Sequence, residues 1–409
     1  MTRALASLLL IGLAAVACQG PGNASRPDII IASDTATSAY DSAVTLEDAI
    51  DFAIRQQPSI EGYRLAYWRL DNSLGAQQSP LRGRENVRRM ISEPRVLGVI
   101  SPNSSFVARV EMPEANLAHL AMLSSTTTSS CLTVAARVCK PTAAQLRPTT
   151  VNNYFRISPP DPLQGKAMAL YAATLLGRRH AAAFNEFGPE GSLYIKEFSE
   201  EFARHGGSVV YQQELDDTTI NFSAFLSQAK AHGADAVYAV ADRDHNACKA
   251  AAQMSAVMPG AIFLGTDGFS RNDSCIADLG TTPPEVWATH PAVDAQESSD
   301  PAVKKLVAAY MAAYPNALNK TELTPYIFSV YDCARILIDA ITRAIKANGG
   351  RLPSRAEVVA AVAQTKDFAG VTGTYSFDEN GDALSPMMSI YKVHDGRWEF
   401  VQVHKFAAP

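Results

Sequence analysis

The chain has 409 residues and a formal net charge of -5, and it is 47% hydrophobic and 19% charged. That balance excludes a disordered chain and a membrane-embedded one, and charges of both signs without a basic stripe argue against a nucleic-acid partner. The length is enough to bury a sizeable core and favours two lobes.

The first segment, "MTRALASLLLIGLAAVACQG", sets one Arg before an apolar stretch from Leu5 to Val16. This is the form of a secretory signal, too short to span a bilayer comfortably and without stop-transfer flanks. Its end, "AVAC", is similar to a bacterial lipobox, which implies cleavage before Cys18 and a lipid on the Cys18 thiol; ordinary signal cleavage nearby is the alternative. The expected order is a signal peptide over 1–17 and a lipidated tether over 18–26, with "GPGNASRP" flexible and the membrane a partner through the lipid. Export makes disulfides possible. Cys131 with Cys139 and Cys248 with Cys275 are the candidate pairs, against buried free thiols, and Cys333 is expected to be a buried thiol.

From Asp28 onward strands and helices alternate. "DIIIAS" predicts a strand, and "TLEDAIDFAIRQQ" a helix with Leu46, Ala49, Ile50, Ala53 and Ile54 on one face and a capping box of Thr45 with Asp48. "YRLAYWRL" and "RVLGVISP" read as strands, "RENVRRMISE" and "ARVEMPEANLAHL" as helices, and "AMLSS" closes the run. This order predicts a parallel sheet with helices on both faces. The pattern then restarts with the helix "QGKAMALYAATLLG", the strand "RHAAAFNE" and the helix "LYIKEFSEEFARHGG", which glycines stop. "SVVYQQEL", "FSAFLSQAKAHG", "DAVYAVA", "NACKAAAQMSAV" and "AIFLGTDG" continue it. Two such runs predict an α/β fold of two doubly wound lobes. Helices at Pro301–Tyr314 and Tyr326–Lys346 supply core faces, and the tail predicts β-hairpins turning at Asn380-Gly381 and Asp395-Gly396. "DENGD" lacks the full EF-hand loop and its terminal Glu, so calcium is not expected.

Ligands of open α/β sheets sit outside the carboxyl ends of the strands. Those ends read "SPNSS" after Ile100, "SSTTTSS" after Leu123, "NEFGPEG" after Phe184, "ADRDHN" after Val240 and "TDGF" after Gly265. A carboxylate only accepts hydrogen bonds, and hydroxyls with backbone N–H groups can hold it without a full positive charge. A Ser/Thr turn that merely caps helices is the competing reading.

Taken in order, "VLGVISPNSS", "AMLSSTTTSSCLT", "YFRISPPDPLQG", "FGPEG", "FLGTDGF" and "FAGVTGTYSFDENGD" resemble the periplasmic type I ligand-binding proteins, and among them the leucine/isoleucine/valine-binding branch that serves ABC importers. The resemblance implies two Rossmann-like lobes joined by three crossovers, near Arg156, Trp287 and Gly370, with the ligand in the cleft. Lobe 1 would then comprise 27–156 plus 288–370, and lobe 2 157–287 plus 371–409. It also implies that Ser104 or Ser105 and the segment Thr126, Thr127 and Thr128 grip the ligand's α-carboxylate, Thr126 and Thr128 being those expected to face the cleft. Asp267 would hold the α-ammonium, and Tyr40 and Phe187 match aromatic positions around the ligand. "DRDHN" departs from the small and aromatic segment of the branched-chain proteins, which makes Arg243 or Asp242 a candidate to enter the cleft and argues against a branched-chain ligand.

The implied function is an extracytoplasmic binding protein that captures an amino acid or related small zwitterion and docks, closed, on an ABC permease, with no cofactor. No G-x-S-x-G, P-loop, G-x-G-x-x-G or H-E-x-x-H occurs and the eight histidines are scattered, which argues against an enzyme. A ligand-sensing lipoprotein acting through a separate signalling partner is the alternative.

Overall fold

The computed structural model describes residues 28–101, 103–241, 246–271, 273–280, 283–315 and 324–406. Cys18 with its tether, Asp242 and Arg243 lie outside the described residues. The first run comprises β1 (Ile29–Thr35), α1 (Asp41–Gln56), β2 (Ser59–Ile60), β3 (Tyr63–Asp71), a small hairpin of β4 (Ser73–Leu74) and β5 (Gln77–Gln78), α2 (Pro80–Ser92), β6 (Val96–Ile100), α3 (Ser105–Leu117), β7 (Ala121–Ser124), α4 (Ala143–Leu146) and β8 (Tyr154–Arg156). The second comprises α5 (Pro162–Thr174), β9 (His180–Asn185), α6 (Gly188–Arg204), β10 (Ser208–Glu214), α7 (Ser223–Ala231), β11 (Ala236–Val240), α8 (Ala247–Val257), β12 (Ile262–Gly265), α9 (Asp273–Asp278) and β13 (Glu285–His290). The chain then adds α10 (Pro301–Ala313), α11 (Tyr326–Ala347), α12 (Arg355–Ala363), a second small hairpin of β14 (Phe368–Ala369) and β15 (Thr374–Tyr375), and the strands β16 (Met387–His394) and β17 (Arg397–Lys405).

Among the described residues the strands form two main sheets, ordered β2-β3-β1-β6-β7-β8 and β10-β9-β11-β12-β13-β16-β17. The strands β6 and β11, "VLGVI" and "AVYAV", are buried along their whole length, as a parallel strand covered on both faces requires. In the first lobe α1, α11 and α12 cover one face and α2 with α3 the other; in the second, α5 with α6 and α7 with α8 do the same. The long helix α11 keeps Ile327, Leu337, Ile341 and Ile345 in the core, each contributing about 1.5–3 kcal/mol on burial. In each sheet the strand order reverses once, between β1 and β6 and between β9 and β11, and the cleft opens at these switch points.

Two details differ from the sequence-based expectation. Helix α1 begins at Asp41, before Thr45. The Tyr40 N–H donates to the Ala36 carbonyl at 3.0 Å, so the chain turns straight from β1 into the helix. Thr45 Oγ1 then bonds the Ser42 carbonyl at 2.7 Å and Asp48 accepts from Arg69 at 3.2 Å, so the expected capping box does not form.

The crossover expected near Gly370 also lies further along the chain. Trp287 sits inside β13, paired with Lys392 of β16, and the chain leaves that sheet after His290. Gly370 belongs to the small β14–β15 turn against Asp332, and the chain returns to the second sheet just before Met387. The expected Asn380-Gly381 turn joins a short antiparallel bridge of Phe377 with Ala383, and its Gly381 carbonyl accepts from the Arg156 N–H at 2.8 Å, against β8. A Cβ on Gly381 would sit 2.1 Å from the Tyr154 carbonyl oxygen, and its φ of +86° favours glycine as well. Asp395-Gly396, by contrast, joins β16 to β17 with φ of 48° and 68°, the signature of a type I′ turn.

Both candidate disulfides, Cys131–Cys139 and Cys248–Cys275, are present, and Cys333 is a buried free thiol. Among the described residues no helix is long and apolar enough to cross a membrane.

Candidate ligand-binding cleft

The first wall of the cleft is built at the ends of β6 and β7. Ser104 is the N-cap of α3 and its side chain makes no cap bond, while Ser105 Oγ accepts from the Ser129 N–H at 3.2 Å. Beyond β7, Ser124 Oγ accepts from the N–H groups of Thr126 and Thr127 at 3.3 and 3.2 Å, curling the hydroxyl-rich loop. Thr127 corrects the expectation. Its Oγ1 turns inward to Ser124 at 2.7 Å and to the Tyr154 hydroxyl, and the residue is fully buried, so it has no face on the cleft. A loop that alternates direction, inside a curl set by Ser124, cannot present three consecutive side chains to one side.

Arg156, 0% exposed, holds this loop from below. Its Nη1 donates to the carbonyls of Thr127 and Ser129 at 3.2 and 2.7 Å, its Nη2 to Thr133 Oγ1 at 2.7 Å and its Nε to Asp382 at 2.6 Å. Asp382 comes from the "DENGD" segment. With Asp382 on Arg156, and Asp378 accepting from the Asn380 and Asp382 N–H groups, those acids serve the hinge. Among the described residues no group of three His, Cys, Asp or Glu side chains could hold a metal ion.

The second wall is acidic. Asp267, just after β12, accepts from Gln164 Nε2 at 2.8 Å and from the Tyr326 hydroxyl at 3.2 Å, and its own N–H donates to Gln164 Oε1 at 3.0 Å. Gln164 is fully buried and also accepts from Thr289 at 2.7 Å, so the carboxylate is aimed by a fixed amide. Asp161 stands beside it. Burial, and then the charge of Asp267, push the Asp161 carboxyl up to about 7, against hydrogen bonds from Thr128 and Tyr194.

These two walls share one hollow of about 700 Å³. Of the residues expected there, Tyr40, Ser104, Ser105, Thr126 and Thr128 line it from the first lobe, and Phe187 and Asp267 from the second. Arg243 cannot be placed, since it lies outside the described residues. The lobes also touch across the hollow. Arg109 of α3 donates to both Glu190 oxygens of α6 at 2.7 and 2.5 Å, Ser129 Oγ donates to the same carboxylate at 3.0 Å, and the Asp161 N–H donates to the Thr128 carbonyl at 2.8 Å.

Sequence reasoning missed Asp161, Gln164, Arg109 and Glu190, although "PPDPLQG" and "FGPEG" contain three of them. Asp before Pro at a helix start reads as an N-cap; here Asp161 makes no side-chain cap bond, and its carboxylate lines the cleft instead.

For a ligand that carries an amine, the acid pair would make binding depend on pH. Below about 7 the empty site keeps a proton on Asp161, and an ammonium favours the ionised form, so binding expels that proton. Affinity for an amine ligand is expected to rise from about pH 6 to about pH 8, and calorimetry in buffers of different ionisation enthalpy to report proton release. Buffer-independent heats would remove Asp161 from the pole. For folding of the empty protein the sign is opposite: the raised carboxyl stabilises fully below its unfolded value, and that contribution is lost as pH rises through about 7.

A family model described as periplasmic binding protein matches residues 30–397. A Leu/Ile/Val-binding protein homologue from Brucella melitensis is 25% identical over 256 residues, 63% of this chain and 65% of the relative, just under two thirds of its length. A leucine-binding protein from Thermotoga maritima superposes with a TM-score of 0.72 at 23% identity, over 92% of this chain and 98% of that one. A solute-binding protein from R. palustris in complex with 4-hydroxybenzoate does so with a TM-score of 0.72 at 16% identity, over 93% and 97%. These likenesses show the two-lobed fold.

Proposed function

The chain belongs to the periplasmic binding protein family, and on that premise we propose that it captures an amino acid or related small zwitterion in the cleft for an ABC importer. The observation that carries this reading is the shared hollow, where Ser104, Ser105 and Thr126 oppose Asp267 and Asp161. The hydroxyls and the start of α3 take the ligand's carboxylate, and the acid pair takes its ammonium. A hydrogen bond to a charged partner contributes about 1.5–3 kcal/mol.

Capture works by closure. A zwitterion touches both walls only when they are together, so it binds the closed form better, and that difference moves the population. The three connections after Arg156, after His290 and before Met387 absorb the rotation. The closed protein then docks on a membrane permease, held near it by a lipid on Cys18. The reading is of a binder.

A thermal-shift screen with the twenty amino acids, short amides and benzoate-type carboxylates tests this. An α-amino acid at a hundredfold its Kd is expected to stabilise by about 2.7 kcal/mol, while carboxylates without an amine leave the melting point unchanged. Equal stabilisation by aromatic carboxylates would discard the ammonium pole.

A further inference from the structure

Beside the hollow just described the cleft continues into a second compartment of about 380 Å³. Tyr40, Gln78, Asn103, Thr126 and Asp267 stand on the wall common to both. An aliphatic ligand side chain entering it would meet the wrong surroundings. Leu46 is the aliphatic side chain among the described lining residues, and Arg271, His290 and Tyr326 line the compartment as well.

Several lining atoms there lack partners. His290 is 4% exposed, and its Nδ1 has no hydrogen bond; Asn103 Oδ1 and Gln78 Oε1 are also buried without one. Buried polar atoms in native proteins are nearly always bonded. Several unbonded ones around a single hollow mark a place where a ligand completes the network. The amides of Asn103 and Gln78 can present N–H as readily as C=O to it, since the two ends of an amide can exchange.

Arg271 is the cation among the described residues that line this compartment, as Asp267 is its anion. The Arg271 guanidinium lies 5.6 Å from the centroid of the Tyr391 ring, and the Tyr391 hydroxyl is fixed on Asp294 at 2.8 Å. Burial, and then the nearby Arg271 charge, hold the His290 imidazole down at about 3, so it is neutral at ordinary pH and can donate from one nitrogen. A guanidinium fork beside a neutral imidazole suits a carboxylate.

We propose that this compartment is a subsite for a second carboxylate, so that the captured ligand is an acidic α-amino acid with its distal carboxylate on Arg271 and His290. The inference rests on the zwitterion reading of the neighbouring hollow, where Asp267 takes the ammonium. An acidic side chain supplies the bonds that His290 lacks, and a neutral aliphatic one leaves them unmade.

Calorimetry with L-glutamate, L-glutamine and L-leucine, on the wild-type protein and on Arg271→Gln, tests it. The wild type is expected to bind glutamate at least about tenfold tighter than the other two. Arg271→Gln is expected to lose about tenfold or more for glutamate while glutamine binding stays within about twofold, and Arg271→Lys to recover part of the loss. Leucine or glutamine binding as tightly as glutamate to the wild type would overturn the subsite and leave the zwitterion reading standing. Equal losses for glutamate and glutamine in Arg271→Gln would overturn it too. If none of the three binds, the subsite is overturned, and the zwitterion reading fails with it when no other amino acid stabilises the protein in the thermal-shift screen. Should the variant not fold, the wild-type comparison decides.

Discussion

Replacing Asp267 with Ala is expected to weaken amino-acid binding by about two to three orders of magnitude, because an ammonium left in a closed site without its carboxylate costs about 3–5 kcal/mol. The size of the effect follows from how the carboxylate is held. Gln164 of the same lobe fixes one oxygen, so the acid meets the ligand already oriented, and Tyr326 reaches the other oxygen from the opposite lobe. Asp161 keeps part of the attraction, which is why the loss is large and not total. In the proposed pose both acids act on one ammonium, so the double variant with Asp161→Ala should fall short of the sum of the single losses. Asp267→Asn, which keeps the shape and the bond to Gln164, separates charge from packing: its affinity should stay close to that of Asp267→Ala. Calorimetry that finds Asp267→Ala within about threefold of the wild type would remove Asp267 from the ammonium pole.

The second large effect is on the fold. Asp382→Ala strips the counter-charge from a fully buried guanidinium, and breaking a buried pair on one side destabilises by about 3–5 kcal/mol. Against a typical total of about 5–15 kcal/mol, this is a large fraction of the stability. The pair ties the end of β8, where the chain first leaves lobe 1, to the segment through which it last returns. It also fixes the loop of the carboxylate pole, since Arg156 donates to the Thr127 and Ser129 carbonyls. Urea denaturation should therefore show a lower midpoint for Asp382→Ala, and ligand affinity should fall with it. Arg156→Met with Asp382→Leu should recover much of the stability, because no lone charge remains, but not the affinity, because the loop carbonyls have lost their donor. A midpoint unchanged in Asp382→Ala would contradict this role.

Much of the fold was legible because parallel strands buried on both faces carry an unmistakable composition. "VLGVI", "AVYAV" and "IFLG" cannot face water on either side, and the helices between them show their apolar stripes in α1 and α11. Element starts were less legible. The first turn of α1 depends on a backbone bond from Tyr40 to Ala36 that no side chain announces. The last crossover fell late for a related reason: Gly370 looks like the end of an element, but the chain runs on beside β8, where Asp382 pairs with Arg156, before it joins the second sheet at Met387.

The site divided in the same way. Strand ends are visible in sequence, so Thr126, Thr128 and Asp267 could be found from it. Which hydroxyl of a run faces the cleft is set by the curl about Ser124, a tertiary fact, and Thr127 illustrates it. Asp161 was hidden by its own neighbourhood, because the same Asp-Pro pair serves a helix cap elsewhere. Arg271 and His290 carried no local signal at all. Their meaning comes from meeting Gln78 and Asn103, which lie far away in the chain, around one hollow.

A crystal structure of the protein with the tightest-binding amino acid from the thermal-shift screen would be the most direct measurement. It should show the α-carboxylate within hydrogen-bond distance of Thr126 and the start of α3, and the ammonium on Asp267 and Asp161. An amino acid lying outside this hollow, or turned so that its carboxylate faces Asp267, would contradict the capture of a zwitterion between opposed poles.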